Sequence, residues 1–116
     1  MKFHSLEPFI PSGSNFEQSK LLFLDLGFKI NWDAGGYIGF ERDGCKFILQ
    51  EFYNQEFAEN LMISVKIDNA EEFWRFVVDK KLPERFGIRI TAPKQKPYGK
   101  EVNLIDTAGV CWHFVE

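Results

Sequence analysis

The end of the chain carries the side chains that are best suited to chemistry. The sequence there predicts a β-hairpin, with strands at 102–105 and 110–115 and a turn at 106–109. Along the second strand His113 and Cys111 alternate with Trp112 and Phe114, so the two pairs point to opposite faces of the sheet. If Trp112 and Phe114 pack under helices, His113 and Cys111 line a cavity. Tyr98, held between a proline and a glycine, stands at its entrance.

Nucleophilic catalysis by Cys111 is disfavoured by the pattern. The nearest histidine, His113, lies two residues along the same strand, and no oxyanion-hole motif is recognisable. Cys45 follows a turn glycine and is interpreted as a small apolar residue. With no CxxC pair and no zinc-ligand spacing, the two cysteines predict reduced thiols in the cytoplasm.

Aromatic residues make up 16% of the chain, with thirteen Phe among 116 residues. We expect most of them in the core and some on a concave site or a subunit interface. Trp32 and Tyr37 flank the turn 33–36 as candidates for a groove wall, with core packing or a dimer contact as open alternatives. Phe52 and Tyr53, at the end of a fourth strand predicted from Cys45 to Phe52, are candidates for the same groove. The carboxylates considered as partners for a cationic ligand are Glu7, Asp33 and Glu101.

The charge pattern excludes some classes of partner. The formal net charge is −3 and there is no basic run, which argues against nucleic acid. No apolar stretch approaches the ~18 residues that a membrane span needs, and no signal pattern opens the chain. The expected partner is therefore a small molecule, without nucleic acid or membrane.

The elements that must position these residues follow one order twice. The periodicity predicts an α+β protein of 1–116 as a single domain, with modules 1–54 and 61–116 joined by a polar connection at 55–60. Each module reads βαβββ. Asn15-x-x-Gln18 and Asn69-x-x-Glu72 predict capping boxes at equivalent points, 54 residues apart.

Several stretches carry a resemblance to a known family. They are Pro8–Ser12, Ser19–Phe28, Asp33–Gly36, Ile67–Trp74, Gln95–Glu101 and Asp106–Val115. In order and spacing they resemble the vicinal oxygen chelate superfamily, which has the glyoxalase/bleomycin resistance fold, and most of all its bleomycin resistance branch. The resemblance implies half-barrels that enclose a site and a homodimer with two grooves at the subunit interface.

The resemblance also implies where the site residues fall. The superfamily's metal ligands come from the first, fourth, fifth and eighth strands, near Glu7, Gln50, Met62 and His113 here, and a one-residue slip would replace Gln50 by Glu51. Met62 is a soft thioether and a poor ligand for the hard cations of such sites. Tyr98 matches a tryptophan that stacks on the drug in bleomycin resistance proteins. The expected ligand-binding set is Tyr98, His113, Trp32, Tyr37, Phe52, Gln50, Met62 and Glu7.

The function implied is sequestration of an aromatic antibiotic, cationic or neutral, without catalysis or cofactor. The alternative is a metal-dependent lyase, isomerase or dioxygenase in which Glu7, Gln50 and His113 hold a divalent metal. Met62 counts against that enzyme. A structural or regulatory dimer without a ligand is the third hypothesis.

Overall fold

The computed structural model describes all 116 residues and contains nine strands and four helices. The first half contains β1 (Phe9–Pro11), α1 (Phe16–Asp25), β2 (Lys29–Asp33), β3 (Tyr37–Arg42) and β4 (Cys45–Gln50). The second half, after α2 (Gln55–Asn60), contains β5 (Met62–Lys66), α3 (Ala70–Asp79), α4 (Leu82–Phe86), β6 (Arg89–Ile90), β7 (Lys94–Lys96), β8 (Gly99–Ile105) and β9 (Cys111–Val115).

The two halves form two sheets of the same topology. The first sheet has the order β1-β4-β3-β2 and the second the order β5-β9-β8-β6, with β7 paired to β8. In both sheets the opening strand runs parallel to the last strand of its module, and the other pairs are antiparallel. The predicted α+β fold with a repeated βαβββ order is confirmed.

Asparagines start the first three helices. The Asn15 side chain accepts a hydrogen bond from the Gln18 amide at 3.1 Å, and Asn69 accepts one from Glu72 at 2.9 Å. These bonds satisfy backbone N–H groups that have no partner inside the helix. Both predicted N-caps are therefore present. Asn54 caps α2 in the same way, through the Phe57 amide at 2.9 Å.

The cores of the two modules are continuous. The Phe23 ring from α1 lies 4.8 Å from the ring of Phe47 in β4 and 5.4 Å from that of Trp112 in β9. Phe47 and Trp112 are themselves 5.4 Å apart. The two sheets therefore pack with their apolar sides toward each other and toward the helices, around one cluster of buried residues.

Three elements differ from the prediction. The connection 55–60 is the helix α2, which the Asn54 cap starts. A further helix, α4, follows α3, and residues 94–96 of the predicted Pro/Lys-rich loop form β7 against β8. The sequence of β7 is Lys-Gln-Lys, so no apolar alternation marks it as a strand. No helix has the length and apolar character to cross a membrane.

Candidate functional site

The predicted site residues occupy two separate faces of the chain. In β4, Phe47 and Leu49 are buried in the core, so Gln50 lies on the other side of the first sheet, here called the first outer face. In β9, Trp112 and Phe114 are buried, so His113 lies on the other side of the second sheet, the second outer face. Because the core sides of the sheets meet each other, the two outer faces point away from each other.

The first outer face carries an open, mostly apolar groove of about 540 Å³. Its lining consists of Phe9, Trp32, Ala34, Tyr37, Ile48 and Gln50. The Tyr37 ring meets Phe9 edge-on, with 6.0 Å between ring centroids. Trp32 and Tyr37, at 41% and 42% exposure, leave much of their ring surface free for a ligand or for another chain.

A β-bulge places Trp32 in this groove. Ile30 pairs with Phe40, but Trp32 pairs with Gly39 rather than with Ile38, because the register shifts by one at Asn31. In an unbroken ladder Trp32 would share the core side with Ile30. Gly39 completes the arrangement: a Cβ there would lie 2.2 Å from Trp32 Nε1, so the indole rests directly on the glycine.

The second outer face carries a hydrogen-bonded polar cluster. His113 Nδ1 lies 2.9 Å from Glu101 Oε1, and the Tyr98 hydroxyl donates to Glu101 Oε2 at 3.0 Å. Glu101 is only 4% exposed, whereas the Tyr98 side chain is 60% exposed. The carboxylate holds the tyrosine by its hydroxyl, so the ring is anchored while its faces remain open to a ligand.

The Glu101 carboxylate fixes the tautomer of His113. An ionised carboxylate only accepts hydrogen bonds, so His113 Nδ1 carries the proton and donates it toward Glu101. In the neutral ring Nε2 is then an acceptor. The Cys111 thiol lies 3.4 Å from that atom and, with the ring in this tautomer, can donate a hydrogen bond to it.

Two groups of this cluster have raised pKa values. The hydrogen bond to Glu101 raises the pKa of Tyr98 above its ordinary value, because ionisation would place two negative charges side by side. Burial raises the pKa of the Cys111 thiol, and the charges of Glu101 and Asp106 add to the rise. At neutral pH Tyr98 is therefore a phenol and Cys111 a thiol.

A buried aspartate fixes the turn that precedes Cys111 and His113. Asp106 Oδ1 accepts hydrogen bonds from the amides of Ala108, Gly109 and Val110 at 2.9–3.1 Å. Its Oδ2 accepts from Trp112 Nε1 at 2.9 Å. Burial raises the pKa of Asp106, and these four donors oppose that rise. The anchored turn sets the register of β9 and so the positions of the residues on the second outer face.

The remaining predicted residues are distributed around these two faces. Gln50, not Glu51, faces the groove, because it pairs with Pro11 and Tyr37 on the outer face. Met62 is exposed on the second outer face beside Cys111, its partner in the β5–β9 ladder. Phe52 lies beyond the end of β4 and packs edge-on against Phe57 of α2, outside the groove lining.

The residues considered as metal ligands are not brought together in one chain. Glu7 accepts a hydrogen bond from Ser5 at 2.6 Å. It precedes Pro11, the partner of Gln50, by four residues, or roughly 13 Å of extended chain. His113 lies on the other outer face. No group of three or more His, Cys, Asp or Glu is arranged to hold a metal ion, so the set Glu7, Gln50 and His113 does not fit one within this chain.

Glu101 is the site residue whose role the sequence did not reveal. It was a candidate partner for a cationic ligand, but both of its oxygens are occupied by Tyr98 and His113. Its alternation with the buried Val102 and Leu104 places it on the outer face. The sequence did contain a clue to this position. Two strands joined by the turn 106–109 must pair as a hairpin, and that pairing brings Glu101 of β8 close to His113 of β9.

A second cavity, of about 530 Å³, lies where the β3–β4 turn approaches α3. Phe28, Phe73, Phe76 and Phe114 are among its apolar lining residues, and Arg42 stacks over the Phe76 ring at 5.5 Å. None of the expected ligand-binding residues lines it.

Known structures share this architecture across almost the whole chain. A bleomycin resistance determinant encoded on the transposon Tn5 superposes with a TM-score of 0.81 at 19% identity, over 98% of both chains. A bleomycin-binding protein complexed with bleomycin gives 0.79 at 21% identity, over 98% of both chains. A fosfomycin resistance protein from Mesorhizobium loti gives 0.72 at 14% identity, over 98% of this chain and 92% of that one.

Neither of the two sequence comparisons detects a relative: no family profile matches the chain, and no curated protein does. The structural likeness, at these identities, is a likeness of fold. It confirms the glyoxalase/bleomycin resistance fold that the resemblance predicted.

Proposed function

We propose that this protein binds and sequesters a flat aromatic antibiotic, of the bleomycin type, in grooves between two copies of the chain, without catalysis. The observation that carries the proposal is the placement of two aromatic-bearing outer faces on opposite sides of one chain. Each face alone is an open wall. Opposing the first outer face of one copy to the second outer face of another would give a groove with two walls.

The two walls supply complementary contacts. Trp32 and Tyr37 offer ring faces from the first, and the anchored Tyr98 offers one from the second. Gln50 and His113 supply polar groups that can orient a ligand. Asp33 pairs with the core-side Ile38, so it alternates to the side of the sheet opposite Trp32 and is not assigned to the groove.

The solved structures support this class of ligand. Two with TM-scores of 0.79 and 0.76 are bleomycin-binding proteins in complex with bleomycin and with copper(II)-bleomycin, the latter from Streptomyces verticillus. Metal-independent binding is supported by the scattered positions of Glu7, Gln50 and His113. The two free cysteines are consistent with action in the cytoplasm.

The first test is calorimetric titration with bleomycin, with and without a divalent metal. We expect metal-independent binding, weakened roughly 5- to 30-fold by Trp32→Ala or by Tyr98→Ala, as expected for the loss of one stacked ring worth about 1–2 kcal/mol. Absence of binding with a dissociation constant below ~100 μM, which corresponds to a binding free energy of about 5.5 kcal/mol, would refute the bleomycin-type ligand. A tightly held metal lost on His113→Ala would instead favour the metal-dependent enzyme.

The second test separates a shared groove from a site within one chain. Differently tagged Trp32→Ala and Tyr98→Ala chains are co-expressed, and the mixed dimer is purified. If the groove is shared, one groove of the mixed dimer carries both substitutions and the other carries neither. We then expect one site per dimer at wild-type affinity.

The contradicting result is two equally weakened sites in the mixed dimer, which would place the whole site within one chain. A mixed dimer of one wild-type chain and one Trp32→Ala chain is the matched control. It contains one intact groove, whichever of the two chains carries which tag. A chain that sediments as a monomer at all concentrations, with or without bleomycin, would also refute the shared groove.

A further inference from the structure

We propose that Cys111 is a nucleophile that captures α,β-unsaturated carbonyl compounds covalently, with His113 as its base and Glu101 as the residue that positions the histidine. The three residues lie in one chain on the second outer face. The inference therefore goes beyond the proposed function and does not depend on dimerisation or on bleomycin binding.

The geometry is that of a thiol, an imidazole and a carboxylate in line. Cys111 Sγ lies 3.4 Å from His113 Nε2, and His113 Nδ1 lies 2.9 Å from Glu101 Oε1. The sequence argument against Cys111 was that His113 lies two residues along the same strand. In β9 this spacing places both side chains on the same face and in contact, so it favours the pair.

The buried Glu101 carboxylate fixes the orientation of the His113 ring. The carboxylate, 4% exposed, accepts from the Tyr98 hydroxyl through Oε2 and from His113 Nδ1–H through Oε1, so turning the imidazole would leave Oε1 without its donor. The basic Nε2 lone pair is thereby held toward the thiol. Glu101 also balances the positive charge of the imidazolium once His113 has taken the proton.

The reaction is an addition that consumes no other reactant. Cys111 Sγ forms a bond to the β-carbon of the acceptor, and its proton passes to His113 Nε2. The π electrons of the carbon–carbon double bond move toward the carbonyl, forming an enolate. The proton then passes from His113 to the α-carbon, which leaves a thioether, a neutral imidazole and no change in the overall oxidation state.

The surroundings of Cys111 select the class of acceptor. In the ladder Cys111 pairs with Met62 on one side and with Ile105 on the other, so apolar side chains flank the sulfur. Its half-buried position admits a small planar group while screening the thiol from water. An apolar or aromatic enone or quinone fits this position better than a charged electrophile.

The second cysteine provides an internal control. Cys45 is exposed and has no hydrogen bond to a base, whereas Cys111 is partly buried and its pKa is raised. From exposure and acidity alone, Cys111 would react more slowly than Cys45. The proposal predicts the opposite order, because His113 removes the proton as the new bond forms.

The experiment is timed labelling of the full-length protein with N-ethylmaleimide, quantified at both cysteines by peptide mass spectrometry. We expect Cys111 to react about 10-fold or more faster than Cys45 in the folded protein, as a positioned general base contributes at least that much. In urea the two cysteines should react at similar rates. In His113→Gln, the ratio should fall below one while Cys45 keeps its rate.

Labelling of Cys111 no faster than Cys45 in the wild type would overturn the proposal without any variant. An unchanged ratio in His113→Gln, with a native circular dichroism spectrum, would overturn it as well. Glu101→Gln should lower the Cys111 rate less than His113→Gln does, since it misplaces the base without removing it. Calorimetry with bleomycin on Cys111→Ser is independent of these results, so failure of this inference and failure of the proposed function are distinguishable.

Discussion

Replacement of Asp106 by alanine tests how the closing turn is held. The substitution removes four hydrogen bonds, three from backbone amides and one from Trp112 Nε1. At about 1 kcal/mol each they contribute about 4 kcal/mol, and the buried indole N–H left without an acceptor adds about 1–3 kcal/mol. The half-exposed amides of Ala108 and Gly109 can bind water instead, which returns part of this loss.

We therefore expect Asp106→Ala to lower the free energy of unfolding by about 3–5 kcal/mol, a large share of the 5–15 kcal/mol typical of a small domain. The measurement is urea unfolding followed by circular dichroism, with a parallel thermal scan. Asp106→Asn keeps an oxygen for the three amides but turns an NH₂ toward Trp112 Nε1, so it should cost about 1–3 kcal/mol.

Asp79→Ala, at an exposed position in the last turn of α3, is the matched control and should stay within about 0.5 kcal/mol of wild type. The order of stability should be wild type, then Asp106→Asn, then Asp106→Ala. A loss below about 1 kcal/mol in Asp106→Ala would show that the turn holds without its aspartate and would refute the reasoning.

Three further predictions concern the two outer faces. Gly39→Ala should displace the Trp32 indole, because the added Cβ would lie 2.2 Å from Trp32 Nε1. The tryptophan fluorescence and the affinity for bleomycin should therefore change. Gly36→Ala is the control: its added Cβ would have its nearest neighbour at 3.4 Å, so both readouts should stay unchanged. Deletion of Asn31 should remove the bulge but leave Trp32 paired with Gly39 on the first outer face, seen as bleomycin binding retained in a folded protein. Ultraviolet titration of wild type minus Tyr98→Phe should give a midpoint above about 10, lowered by Glu101→Gln. Since the pKa is raised in the folded state, the stabilisation from this hydrogen bond should be present below about pH 10 and lost as the pH rises through the folded-state pKa.

The sequence predicted the architecture and the sidedness of the closing hairpin. Apolar alternation around Trp112 and Phe114 places His113 on the outer face, and Asn15 and Asn69 mark two helix starts. These predictions succeed because they depend on local periodicity and on side-chain–backbone bonds within four residues.

Other features depend on contacts that no local pattern encodes. The bulge at Asn31 inserts one residue without Gly or Pro to mark it, and it decides the face on which Trp32 lies. The engagement of Glu101 depends on Tyr98 and His113 arriving from two directions. That the outer faces point apart follows from the meeting of Phe23, Phe47 and Trp112 in the core, a three-way contact between distant segments.

Because the two outer faces point in opposite directions, the number of complete grooves depends on the concentration of the protein. If the groove needs walls from two copies, its abundance depends on the square of the free chain concentration, so protection by such a protein would rise steeply with expression. A ligand bound between the walls would in turn hold the copies together, by the linkage that couples ligand binding to assembly. Cells with low expression would then form the complete groove mainly when the compound is present.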